Sequence, residues 1–203
     1  MAFATIDVTK GITGTIPVAN GGTGVASGTT GQFLKFTGTT TLASAGAGIT
    51  HASMWRMTSD LTGPVDPISA NLEKVDTDGY SSLGSDMTVS SGIWTFPTTG
   101  IWWIRGHGNL YFNGDSRHQH FAIHTTTNDS SYSLASSAYS SISKVESNAT
   151  QQSSEADFIF DVTDTAQCKC KFAFENVTNS SVVLAGDSNH NFTWFQFTRL
   201  GDT

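Results

Sequence analysis

In the stretch "QCKCKFAFE", residues 167–175, apolar side chains recur at every second position. Cys168, Cys170, Phe172 and Phe174 fall on one side of an extended chain, and Gln167, Lys169, Lys171 and Glu175 on the other. Side chains alternate across a strand, so this spacing predicts a half-buried antiparallel strand with its outer face in water. The opposite pattern is missing: no run of ten or more residues combines good helix formers with a 3.6-residue period. Only 13% of residues are charged, against about 25% in ordinary globular chains. Gly, Ser and Thr fill the difference, and Phe dominates the aromatic residues. Side chains of this kind suit a pleated surface, so the expected class is all-β.

Composition breaks near 44–50, "SAGAGIT". Before it the charged residues are Asp7, Lys10 and Lys35, and after it come all five Trp, all four Tyr and all six His. The division predicts an extended Gly/Thr-rich N-terminal arm over 1–50 and a globular head over 51–203. In the arm, Ile6, Val8, Ile12, Ile16 and Val18 share even parity and so one face of an extended chain. Phe33, Leu34 and Phe36 form a second apolar knot, and Gly21, Gly22 and Gly24 supply the freedom of a sharp turn. One strand with one apolar face has nothing in its own chain to bury it. Sister copies or a larger particle are therefore expected to cover it, with Phe33 and Phe36 in the contact.

The segment "GTIPVANGGTG", followed by "GQFLKFTGTT", resembles a repeat of bacteriophage tail fibres and related virion appendages, over about Gly11 to Gly48. The resemblance implies short apolar strands and glycine-rich turns wrapped by three chains. One copy is present where long fibres carry many, which argues against a long shaft.

The head reads as short strands separated by turn signals, as in a sandwich or jelly roll. "SGIWTFPTTGIWWIRGHGNLYF" predicts two strands around the turn Pro97–Gly100, with Trp94 and Phe96 on one face. "HFAIH" and "FIFDV" are further strands. In "NFTWFQFTRL", Phe192 and Trp194 oppose Phe195 and Phe197, so this strand is central in the sandwich or pressed against another subunit. Gly92, Phe96, Pro97 and Gly100 stand where a matching segment opens the core hairpin in the tumour necrosis factor and complement-head family. From about residue 55 to 200 the head resembles that antiparallel jelly-roll β-sandwich. Trp102 and Trp103 depart from its usual tyrosine. The resemblance implies a homotrimer, with Phe172, Phe174, Trp194, Phe195 and Phe197 at the trimer interface or in the core.

Other clusters have plainer readings. Cys168 and Cys170 are two apart on a strand, about 6.5 Å between Cα atoms, and read as a buried reduced pair. His118, His120 and His124 share parity and have the spacing of metal ligands, although histidines on such a face more often serve hydrogen bonds. Asp76 and Asp78, or Asp161 and Asp164, offer oxygens to calcium, but loop aspartates usually serve turns. The expectation is no metal and no cofactor. No nucleophile stands in a hydrolase motif, so no catalytic residue is assigned. Tyr132 and Tyr139, in a Ser-rich run, are candidate surface contacts.

The net charge is −7 and the cations are scattered, which argues against nucleic acid. No apolar run is long enough to span a bilayer, and "MAFATIDVTK" lacks the pattern of a signal peptide. Both suggest assembly in a host cytoplasm, onto a virion surface. The expected function is that of a trimeric bacteriophage capsid decoration (cement) protein, held by its arm on the major capsid protein or another virion protein. A trimeric tail fibre contacting the host surface is the alternative, and host-surface glycan is a candidate partner in either role. A secreted complement-like binding module is a further alternative, although no collagen-like run is present.

Overall fold

The computed structural model describes residues 28–30, 32–39, 41–45, 48–175 and 177–203. Ile6, Val8, Ile12, Ile16 and Val18 lie outside the described residues. Internal contacts divide the chain into two units, 1–48 and 49–203.

In the first unit, for which the sequence suggests an extended arm with a glycine turn and an apolar knot at Phe33–Phe36, two short strands pair into a hairpin. These are β1 (Phe33–Phe36) and β2 (Leu42–Ala45), antiparallel, with Phe33 opposite Ala45 and Phe36 opposite Leu42. The Thr37 N–H donates to the Thr41 carbonyl across the loop, at 3.0 Å. Phe33 and Phe36 stay 65% and 66% exposed. Four residues a side close the ladder but are too few to enclose two phenyl rings.

The second unit contains no helix among the described residues and consists of two antiparallel sheets. The five-stranded sheet runs β10 (Ser133–Ile142), β9 (Ser116–Thr126), β12 (Lys169–Glu175), β7 (Ile93–Thr95), β6 (Thr88–Ser90). In the seven-stranded sheet the order is β4 (Leu61–Thr62), β13 (Val183–Leu184), β8 (Gly100–Phe112), β14 (Trp194–Gly201), β3 (His51–Met57), β5 (Leu72–Lys74). Its remaining strand, β11 (Thr150–Val162), pairs with β8 along the whole length of both strands. This is the antiparallel jelly-roll class that the sequence predicts.

Local chemistry sets several of these elements. β6 and β7 are joined through Ser91 and Gly92, at φ 49° and 79°. Two successive positive φ values define the tight hairpin turn whose twist matches that of its strands, and glycine adopts the second without strain. At Pro97–Gly100 the expected hairpin is not formed. β7 lies in one sheet and β8 in the other, so this segment is a corner between layers. Trp102 holds the corner by donating from Nε1 to the Thr98 carbonyl, at 3.1 Å.

The core is aromatic. Phe172 from one sheet meets Phe195 from the other with ring centroids 4.7 Å apart, and Trp94 lies 4.9 Å from Phe197. Both Trp94 and Phe96 are buried, as their shared parity requires. Along β8 the inward positions are Trp102, Ile104, Gly106, Gly108 and Leu110. The two glycines make room for the rings opposite. A Cβ on Gly106 would stand 2.5 Å from Phe121 and 2.7 Å from Phe172. Cys168 and Cys170 are buried free thiols, and burial raises the Cys170 pKa far above its ordinary value.

The Gly106→Ala variant is expected to lose about 1–3 kcal/mol, because the added methyl has to displace two packed rings. Urea unfolding measures this, and an unchanged midpoint would mean that the two sheets tolerate more separation than their packing implies.

Candidate functional site

The outward side of the seven-stranded sheet carries the residues of β8 that alternate with its core positions. Ile101, Trp103, Arg105, His107, Asn109 and Tyr111 are all half-buried. Strand register aligns them in rows with β14 and β11. His107 stands between Trp194 and Glu155, Arg105 between Gln196 and Asp157, and Trp103 between Thr198 and Ile159. β3 extends the rows with Arg56, Met54 and Ala52.

The side chains on this surface interlock. The Arg105 guanidinium lies 4.9 Å from the ring centre of Trp103 and 5.5 Å from that of Trp194. His107 stacks on the same Trp194 at 5.5 Å with the planes 3° apart. The carboxylates of β11 hold the far side: Glu155 meets His107 Nδ1 at 3.0 Å and Arg105 at 3.8 Å, and Trp103 Nε1 donates to Asp157 at 3.1 Å. Cation–π contacts of this exposed kind contribute about 0.5–1 kcal/mol each. Their larger effect is to hold two indoles at fixed orientations on the sheet surface. Ile159, next to Trp103, is 60% exposed. Fixed aromatics beside an exposed aliphatic on a sheet face are the makings of a protein contact surface. At the β3 margin Arg56 is fully buried and bonded to Glu73 Oε1 at 2.7 Å and Asp76 Oδ1 at 2.6 Å, which ties the segment after β5 against the sheet.

Phe172, Phe174, Phe195 and Phe197 are 0% exposed and belong to the core, so they are not available to another subunit. Of the five head residues named from the sequence, Trp194 alone reaches the surface. β14 is central in its sheet, with Phe195 and Phe197 inside, but its other face is only partly covered and Phe192, just before it, is 42% exposed. Sequence reasoning missed Trp103, Arg105, His107, Glu155, Asp157 and Ile159. For Trp103, Arg105 and His107 the signal was present in "IWWIRGHG", where one parity alternates into Trp102, Ile104 and Gly106 and the other into these three.

Tyr139 and the histidines come together on the outer side of the other sheet. Tyr139 is 63% exposed and stacks on His120 at 4.7 Å and 12°, with His118 6.3 Å away. His124 Nε2 and His120 Nε2 both approach Glu175 Oε1, at 3.0 and 3.4 Å. Burial holds the His120 imidazole below its ordinary pKa, with Glu175 opposing and the charges of His124 and His118 adding to the depression. His118 instead meets Thr178 Oγ1 at 3.3 Å. Tyr132 is half-buried and covers the Lys171 ammonium at 5.3 Å. Among the described residues no group of three His, Cys, Asp or Glu side chains is arranged to hold a metal ion. Of the aspartates considered for calcium, Asp76 is engaged by Arg56, and Asp164 caps a turn by accepting from the Ala166 N–H at 2.7 Å.

No protein-family model matches the chain, and no curated protein matches its sequence. Among solved structures it is similar to the Eiger TNF of S. frugiperda, with TM-score 0.54 and 13% identity over 77% of this chain and 96% of that one. It is also similar to murine APRIL at pH 5.0, with TM-score 0.52 and 10% identity over 74% and 98%. At such identities the likeness is one of fold: the head is a tumour-necrosis-factor-like jelly roll.

Because neutral His120 is favoured in the folded state, the unfolded chain binds the proton more readily below its ordinary pKa of 6.5. Stability is therefore expected to be full above that value and to fall as pH drops through the lower folded-state pKa. Thermal unfolding across this range should show a shallower acid slope in His120→Gln. An identical slope in both proteins would assign the acid sensitivity to other groups.

Proposed function

We propose that this chain is a structural protein of a bacteriophage virion, without enzymatic activity, that assembles as a homotrimer and decorates the capsid surface. Its arm grips a shell protein, and its jelly-roll head faces outward. The observation that carries the reading is the outer face of the seven-stranded sheet. Trp103 and Trp194 are fixed there around Arg105, and Ile159 is exposed beside them. A half-exposed aromatic face on a rigid sheet gains most from burial against a copy of itself, and closed symmetry is the commonest way for a single chain to do this. The tail-fibre-like motif of the arm supplies the virion context. The exposed Phe33 and Phe36 of the hairpin give the arm apolar surface that is still to be covered.

A tail-fibre role contacting the host is the second reading. It is favoured by Tyr139, which presents an open aromatic ring in a fixed orientation on the head.

Sedimentation velocity of the purified chain is expected to give three times the 21.6 kDa chain mass. Trp194→Ala combined with Ile159→Asp should shift it to monomer with its circular dichroism unchanged. A monomeric wild-type chain would end the trimer reading. Removing residues 1–48 should leave the head trimeric but unable to bind particles, and continued decoration by that fragment would refute the docking role of the arm. Immunogold label over the capsid supports decoration, whereas label confined to the tail tip supports the fibre.

A further inference from the structure

At the end of the sandwich where β9 begins and β10 finishes, a pocket of about 310 Å³ is lined by Asp115, Ser116, Arg117, Ser141, Ile142 and Ser143. Ladder pairing joins Ser116 to Ile142 and Gln119 to Ser140, so two residues of β9, Arg117 and His118, oppose the single Ser141 of β10 in a bulge. Extra residues of this kind re-aim side chains at sheet rims.

Three features give the pocket a chemical character. The first is an uncommitted cation. Arg56, Arg105 and Arg199 are each held in an ion pair, whereas Arg117, exposed at the pocket, makes no ion pair or hydrogen bond among the described residues. On a chain of net charge −7 a free guanidinium is a local exception, and its planar donors match a carboxylate. Second, Ser116 is 1% exposed and its Oγ has no hydrogen-bond partner, an arrangement that buried hydroxyls rarely keep unless something supplies the missing bond. The third feature is a fixed acceptor. Asp115 Oδ1 accepts from the Lys144 N–H at 2.8 Å, and its carbonyl accepts from Asn179 Nδ2 at 3.5 Å, so the carboxylate is anchored with its second oxygen uncommitted.

We propose that this pocket binds an acidic sugar, with Arg117 taking the carboxylate and Asp115 and the serine hydroxyls taking the ring hydroxyls. A bare anion would be repelled by Asp115, and an apolar ligand would find little besides Ile142, itself buried. A polyhydroxylated monocarboxylate satisfies both the cation and the carboxylate. The volume is at the lower end for ligand sites, enough for one sugar unit of a longer surface polysaccharide. The inference rests on the host-contacting role given above as the second reading and names the class of host-surface glycan that role would use.

The test is calorimetric titration of the full-length protein with D-glucuronic acid, with D-glucose and sodium acetate as separate probes. Saturable glucuronate binding is expected, weakened about tenfold or more in Arg117→Ala and partly retained in Arg117→Lys. Glucose is expected to bind at least about tenfold more weakly, because it lacks the charged hydrogen bond to Arg117. Acetate binding as tightly as glucuronate would overturn the sugar assignment and leave a simple anion site. Glucuronate binding unchanged in Arg117→Ala, or absent from the wild type, would overturn the site itself. Sedimentation of the same samples separates this inference from the assembly reading. A trimer that fails to bind refutes the pocket alone, and a monomer that binds refutes the trimer alone.

Discussion

The contact between the two sheets is made ring against ring, and most of the head's architecture follows from the space those rings need. Phe172 and Phe121 press from one sheet into the line of β8, and β8 answers with glycine at 106 and 108. Phe195 and Phe197 fill the neighbouring positions on β14, under Trp94. Aromatic side chains bury large areas and prefer tilted or edge contacts, so the interlock sets the separation of the layers as well as their cohesion. Once those inward positions are spoken for, strand alternation dictates which residues are left facing out.

On the seven-stranded sheet the leftover parity is unusual. It carries two indoles, a guanidinium and an imidazole, braced by carboxylates from the adjacent β11. On the five-stranded sheet it carries Tyr139 over His120, with Glu175 drawing in two imidazoles. Both surfaces are ordered before any partner arrives. Preorganisation of that sort lowers the entropic cost of any association. The pocket at the sandwich end differs from both in being lined by a carboxylate, a guanidinium and hydroxyls.

Legibility varied with how far each signal reached along the chain. Period two in "QCKCKFAFE" gave β12 and its inward face, because alternation is a property of one strand. The Ser91–Gly92 turn was found only from the φ values of its two residues. At Pro97–Gly100 local sequence evidence misled. Two strands flank that corner, but whether they pair or part into opposite sheets depends on β12 and β14, far downstream in the chain. The aromatic list for the last strand left interface and core undivided. Trp194 and Phe195 are adjacent in sequence, and only the neighbours on either side of β14 separate surface from core.

The sequence by itself therefore determined the all-β class, the break between a Gly/Thr-rich start and an aromatic head, and the inward parity of the strongest strands. These depend on intrinsic geometry, since side-chain alternation and glycine's freedom act within a few residues. Tertiary structure alone decided which parity of β8 faces the core. Both Trp102 and Trp103 would satisfy the pattern, and the choice falls to Phe121 and Phe172 meeting the glycines of one parity only. The grouping of Trp103, Arg105, Trp194 and Glu155, and of Ser116, Arg117 and Ser141, was likewise left to the fold. The first set joins strands that lie far apart along the chain, and the second joins two consecutive strands at their outer ends, where only ladder register sets which residues meet.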